Sequence, residues 1–154
     1  VKKWLYFFVI VCVAIFIIYT FYFKATTTFK EALPSLYEEN DIKDIIINET
    51  IRDDNGKRIE ERRVSIKEQE TIKRLLKKSA NMKLKRNKGF KSKSSHTTSF
   101  YIIRVNFVHT KKDFTFNMAD SDIIVGDSKY YTIVENNNFK QVLNQEEVDW
   151  KTVK

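Results

Sequence analysis

Side chains able to do acid–base, nucleophilic or metal chemistry are few in this 154-residue chain, and they are spaced badly for it. There are two histidines, His96 and His109, and neither has a second ligand at the i, i+4 spacing that lets two side chains on one helix face meet a metal. His109 stands four residues before Asp113, a distance that suits a local hydrogen bond across a turn. No nucleophile accompanies that pair. Asp120, Asp122 and Asp127 offer oxygen ligands of the kind Ca²⁺ takes, but without the alternating acids and terminal glutamate of an EF-hand loop. They read better as turn residues. Glu146, Glu147 and Asp149 read as a solvated acidic tail.

The single cysteine, Cys12, lies inside an apolar run, so disulfides, thiolate metal sites and a cysteine nucleophile are all excluded from the rest of the chain. No Gly-rich phosphate loop, G-x-S-x-G or Ser/Lys motif set is present, and three glycines supply little material for tight catalytic turns. The expectation is a protein that is not an enzyme and carries no cofactor or metal.

Charge is the stronger signal. The chain has 28 Lys and Arg against 20 Asp and Glu, a net of +8. Between Thr71 and Lys112 there are thirteen basic residues and no acidic one, leaving fifteen basic against twenty acidic elsewhere. A block of that kind suits anionic neighbours: an acidic protein face, a wall polymer or lipid headgroups. Nucleic acid is the least expected of these. Within the block, Lys77, Lys78, Lys83, Lys85, Arg86, Lys88, Lys91 and Lys93 surround one aromatic, Phe90, and form the candidate polyanion or partner-binding segment. Its simpler reading is a solvated helix face followed by a polar loop.

The elements that must carry these residues begin with Trp4 to Phe23, twenty uncharged and mostly apolar residues. At 1.5 Å per residue a helix of that length covers about 30 Å, which predicts a single transmembrane helix. The run is longer than a signal peptide's apolar core, and Lys2 and Lys3 before it place the N-terminus in the cytoplasm and the remainder outside. The expected organisation is a cytoplasmic stub over 1–3, the span over 4–23, a stalk over 24–41 and an extracytoplasmic domain over 42–154. The stalk holds the only proline, Pro34, and Phe29, Leu33, Leu36 and Tyr37 at helical spacing allow it a short helix.

Beyond the stalk, β-branched Ile42 to Ile51 and the partly alternating Lys57 to Ile66 flank Asp53-Asp54-Asn55-Gly56, a hairpin signal. Ser65-Ile66-Lys67-Glu68 has the form of a capping box opening a helix that runs to about Leu84. Polar residues 86–99 read as a loop. Phe100 to His109, Phe114 to Met118, Asp122 to Val125 and Lys129 to Glu135 read as an antiparallel meander, and Asn136 to Gln145 as a short amphipathic helix. Trp150 is expected to fold back on the domain edge. The fold class expected is α+β: one transmembrane helix, then a small two-layer domain of β-β-α-β-β-β-α order with its meander packed on one main helix.

The pattern SFYIIRVNF, DFTFNM and SDIIVGDSKYYTIVENNNFKQVL resembles small, uncharacterised, membrane-anchored extracytoplasmic domains of low-GC Gram-positive bacteria. That resemblance, over about Ile42 to Leu143, implies a two-layer α+β fold in a cell-envelope setting and assigns no functional residue. The function expected is that of an envelope protein whose outer domain binds a protein partner in a regulatory, accessory or immunity-type role. The alternative is electrostatic binding of an anionic polymer or surface through residues 73–93.

Overall fold

The computed structural model describes residues 2–23, 26–38, 41–87, 99–109, 113–125, 129–146 and 148–153. In chain order they form α1 (Lys2–Phe23), β1 (Thr26–Thr28), α2 (Phe29–Ala32), α3 (Ser35–Glu38), β2 (Ile42–Arg52), β3 (Arg58–Ile66) and α4 (Gln69–Ser79). There follow β4 (Lys83–Asn87), β5 (Ser99–Phe107), β6 (Asp113–Ala119), β7 (Asp122–Val125), β8 (Lys129–Ile133), α5 (Asn138–Gln145) and β9 (Lys151–Thr152). All nine strands join one antiparallel sheet in the order β1-β4-β8-β7-β6-β5-β2-β3-β9.

The fold therefore differs from the expected α+β organisation: the described residues form a single nine-stranded antiparallel sheet with few helices. Three segments read otherwise from sequence supply the difference. The supposed stalk contributes β1, the supposed end of the main helix is β4, and the tail contributes β9. Lys83-Leu84-Lys85 alternates, burying Leu84 against Ile133 of β8, so the period-2 reading wins over continuation of the helix.

The expected membrane span is corrected as well. Residues 2–23 are helical, but among the described residues no helix is long and apolar enough to cross a membrane. With the span go the single-pass topology and the localisation that rested on it. The described side chains of α1 are exposed on all sides.

One face of the sheet carries the core. Strand alternation sends Val64, Ile47, Ile103, Phe116 and Val125 to that face, and the register places them in one row across β3, β2, β5, β6 and β7. Met118, Ile123 and Tyr131 continue it across β6, β7 and β8. Over this face lie Phe29 and Leu33 beside α2, Leu36 of α3, Ile72 and Leu75 of α4, and Phe139, Val142 and Leu143 of α5, all buried in the same cluster. Phe29 sets its ring edge-on to Phe116 at 5.9 Å and lies 6.1 Å from Phe139.

Two caps illustrate how alike local signatures part company. Ser65 is a strand residue paired with Ile46, and α4 begins after Glu68 with no side-chain cap. The expected capping box is therefore absent there. Instead the Glu68 carboxylate accepts from the Thr71 hydroxyl at 2.7 Å. The capping box of this chain is Thr28-Phe29-Lys30-Glu31, where the Glu31 amide donates to Thr28 Oγ1 and the Thr28 amide donates to Glu31 Oε2. That amide, with the Thr27 and Thr28 hydroxyls, holds the Glu31 carboxyl below its ordinary value.

Candidate functional site

The helices that cover the core leave a groove of about 560 Å³ between α3 and α4. Pro34 starts the turn of α3, its carbonyl accepting from the amides of Tyr37 and Glu38, and this delivers Leu36 to the core and Tyr37 to the groove wall. On α4 and its C-cap the positions Gln69, Ile72, Lys73, Leu76, Lys77 and Ala80 recur at i, i+3, i+4, i+7, i+8 and i+11. That spacing is one helix face, so all six line the same trough.

Its floor is apolar. Leu36, Ile42 and Ile72 are core residues, and Leu76 and Tyr37 are half-buried against them. The Tyr37 hydroxyl donates to the Leu76 carbonyl at 3.0 Å, tying α3 to α4, and burial pushes the phenol's pKa upward so that it stays neutral. Gln69 Nε2 donates to the Ile42 carbonyl at 3.0 Å and joins the start of α4 to β2.

The rim is cationic. Lys30 lies with its ammonium 5.8 Å from the centre of the Tyr37 ring. Lys73 sits 3.2 Å from Glu70, but both side chains are about 70% exposed, so water screens the pair strongly. Lys77 makes no ion pair among the described residues. Three lysines along an apolar trough, with no carboxylate among the lining residues, describe a surface for an anionic, amphipathic ligand.

The residues singled out from sequence are dispersed by the fold. Lys77 reaches the groove, whereas Lys78 carries the carbonyl that accepts from Asn138 Nδ2 and does not line it. Lys83 is paired with Glu135 at 2.8 Å. Lys85 and Arg86 alternate along β4 and so point to opposite faces of the sheet. Lys88, Phe90, Lys91 and Lys93 lie outside the described residues, as do His96, Asp127 and Glu147.

Other expected pairings rearrange. His109 Nε2 lies 3.0 Å from Asp41, and Asp113 pairs with Arg104 at 3.1 Å, so the anticipated His109–Asp113 contact is replaced by two others. Asp120 is ion-paired with Lys140, and Asp122 accepts from Ser121 and Thr132 hydroxyls. Among the described residues no three His, Cys, Asp or Glu side chains gather where they could hold a metal. Glu146 is tied by two hydrogen bonds to Arg74, at 2.6 and 2.8 Å, which hold its carboxyl below and the guanidinium above their ordinary values.

A second polar group sits on the core side of the sheet. Glu49, buried, pairs with Arg62, whose guanidinium lies 4.6 Å from the centre of the Trp150 ring. Tyr101 is buried directly across from Glu49, and burial together with that carboxylate raises its pKa. Trp150 does fold back on the domain, and this cation–π contact helps hold it there. The lysines of the groove come from two segments distant in sequence, Lys30 in the stretch with stalk-like composition and Lys73 and Lys77 on a helix face, so no local pattern joins them. No family model, curated protein or solved structure matches the chain.

Proposed function

We propose that the protein is a non-enzymatic binding module whose α3–α4 groove takes an acidic amphipathic segment, helical when bound, of a partner protein. The observation that carries this reading is the apolar floor of Leu36, Tyr37, Ile72 and Leu76 beneath the unneutralised rim of Lys30 and Lys77. An amphipathic helix buries its i, i+3, i+4 face in such a trough, and acidic residues flanking that face meet the lysines. The apolar contact supplies affinity, and the rim charges set orientation and association rate.

The test is a titration of the full chain with a synthetic peptide of Leu/Glu amphipathic pattern, against a Leu/Lys peptide of the same spacing. Saturable binding of the acidic peptide is expected, weakened about tenfold or more by Leu76→Asp, which puts a charge on the apolar floor. Lys77→Glu weakens it several-fold and flattens its salt dependence. Equal binding of both peptides, or binding indifferent to Leu76→Asp in a folded variant, overturns the proposal. The rival reading, a continuous polyanion surface over residues 73–93, is disfavoured by the dispersal of Lys83, Lys85 and Arg86 over different faces and by the Lys83–Glu135 pair.

A further inference from the structure

The face of the sheet turned away from the helices carries a second concentration of charge, at its β3–β9 edge. Val64 and Ile66 point into the core, so alternation sends Arg63 and Ser65 to the other face, and Lys67 continues their row just past the end of the strand. Lys151 of β9 stands directly opposite Arg63 in the register. These side chains, with Ile46, Val153 and Asp149, line a hollow of about 480 Å³.

Two features set it apart from an ordinary solvated edge. Like charges placed directly across a strand pair repel and cost stability, and this pair sits in the register with nothing between. Several cations on the described surface find carboxylates, Arg58 with Glu61, Arg74 with Glu146, Lys83 with Glu135 and Arg104 with Asp113, while others such as Lys30 and Lys77 stand apart from one another, on α2 and α4. Arg63, Lys67 and Lys151 have no ion pair among the described residues, and three cations face one lining carboxylate, Asp149.

The geometry points to a binding site for a phosphate ester on an apolar carrier, built from Arg63, Ser65, Lys67 and Lys151, with Ile46 and Val153 receiving the carrier. A carboxylate is satisfied by one guanidinium, whereas a dianionic phosphate has three oxygens to share among a fork donor, two ammonium groups and a hydroxyl. A bound dianion also removes the Arg63–Lys151 repulsion, so binding and edge stability are coupled. The site shares no residue with the α3–α4 groove, and its success or failure is independent of that reading.

The experiment titrates the isotope-labelled full chain with phenyl phosphate, inorganic phosphate and benzoate at constant ionic strength. Expected are saturable amide shifts confined to residues 63–67 and 151–153, with phenyl phosphate binding tightest and benzoate at least fivefold weaker. Lys67→Gln and Lys151→Gln each weaken phenyl phosphate at least fivefold. Lys151→Gln leaves the melting temperature of the free protein unchanged or higher, as relief of repulsion requires. Inorganic phosphate binding as well as phenyl phosphate removes the apolar carrier and overturns the proposal in this form. Shifts spread over lysines elsewhere, benzoate equal to phenyl phosphate, or folded variants that bind like the parent also overturn it.

Discussion

Replacing Arg62 by methionine removes the partner of a carboxylate, Glu49, that is 2% exposed, and the buried charge has no other cation among its described contacts. Breaking a buried ion pair from one side costs about 3–5 kcal/mol, because the surviving charge has lost its solvent as well as its partner. The reverse change is milder. In Glu49→Gln the surviving guanidinium is 32% exposed and already stacked on Trp150, so it turns to water, and a cost of about 1–2 kcal/mol is expected. Urea unfolding of the full chain, followed by circular dichroism, reads the difference. With a slope of about 2 kcal/mol per molar, Arg62→Met lowers the midpoint by roughly 1.5–2.5 M at pH 7.

The double variant Glu49→Leu, Arg62→Met removes both charges and stays within about 1 kcal/mol of the parent. The reasoning fails if Arg62→Met costs under about 1 kcal/mol, or if Glu49→Gln costs as much as Arg62→Met.

Phe29→Ala, by emptying the ring's place against Phe116 and Phe139, lowers stability by about 3–5 kcal/mol in the same urea assay; a loss below about 1 kcal/mol would return this segment to the role of a stalk. Gly56→Ala meets no atom within 4 Å but forces a side chain to a φ of +77°, and should cost about 1–2 kcal/mol by strain alone, read as a midpoint shift with unchanged slope. Glu146 has a folded pKa below its unfolded value, so its contribution is present above the ordinary carboxyl range and is lost as pH falls through the folded pKa. Melting curves between pH 5 and pH 3 should fall less steeply for Glu146→Gln than for the parent.

The hairpin turn at Asn55-Gly56, the strands of the meander and the last helix lie where residue pattern placed them, because each is specified locally. Asp53 accepts from the Asn55 and Lys57 amides and Gly56 adopts positive φ, which is turn chemistry within five residues. Asn137 caps α5 through the Lys140 amide. What pattern could not supply was partnership between distant segments. Thr26–Thr28 is a strand only because Lys83–Lys85 lies beside it, and Lys83–Asn87 is a strand only because Lys129–Ile133 is there to pair with.

Equal signatures misled for the same reason. Ser65-x-x-Glu68 and Thr28-x-x-Glu31 are alike as strings, but Ser65 lies inside β3 with Glu68 as the N-cap of α4, whereas Thr28 ends β1 and is itself the N-cap of α2. The basic block was legible as charge, yet its grouping depends on which face each strand and helix presents. The groove and the β3–β9 hollow unite residues 30 with 77, and 63 with 151, separations that no local pattern reports.

Binding of the acidic Leu/Glu peptide to the full chain, compared between the parent and Leu76→Asp with the fold of each checked by circular dichroism, tests the central claim most directly. Saturable binding to the parent and a loss of tenfold or more in the folded variant is the expected result. Equal affinities, or a loss reproduced by Lys85→Glu on the far side of the sheet, would contradict it.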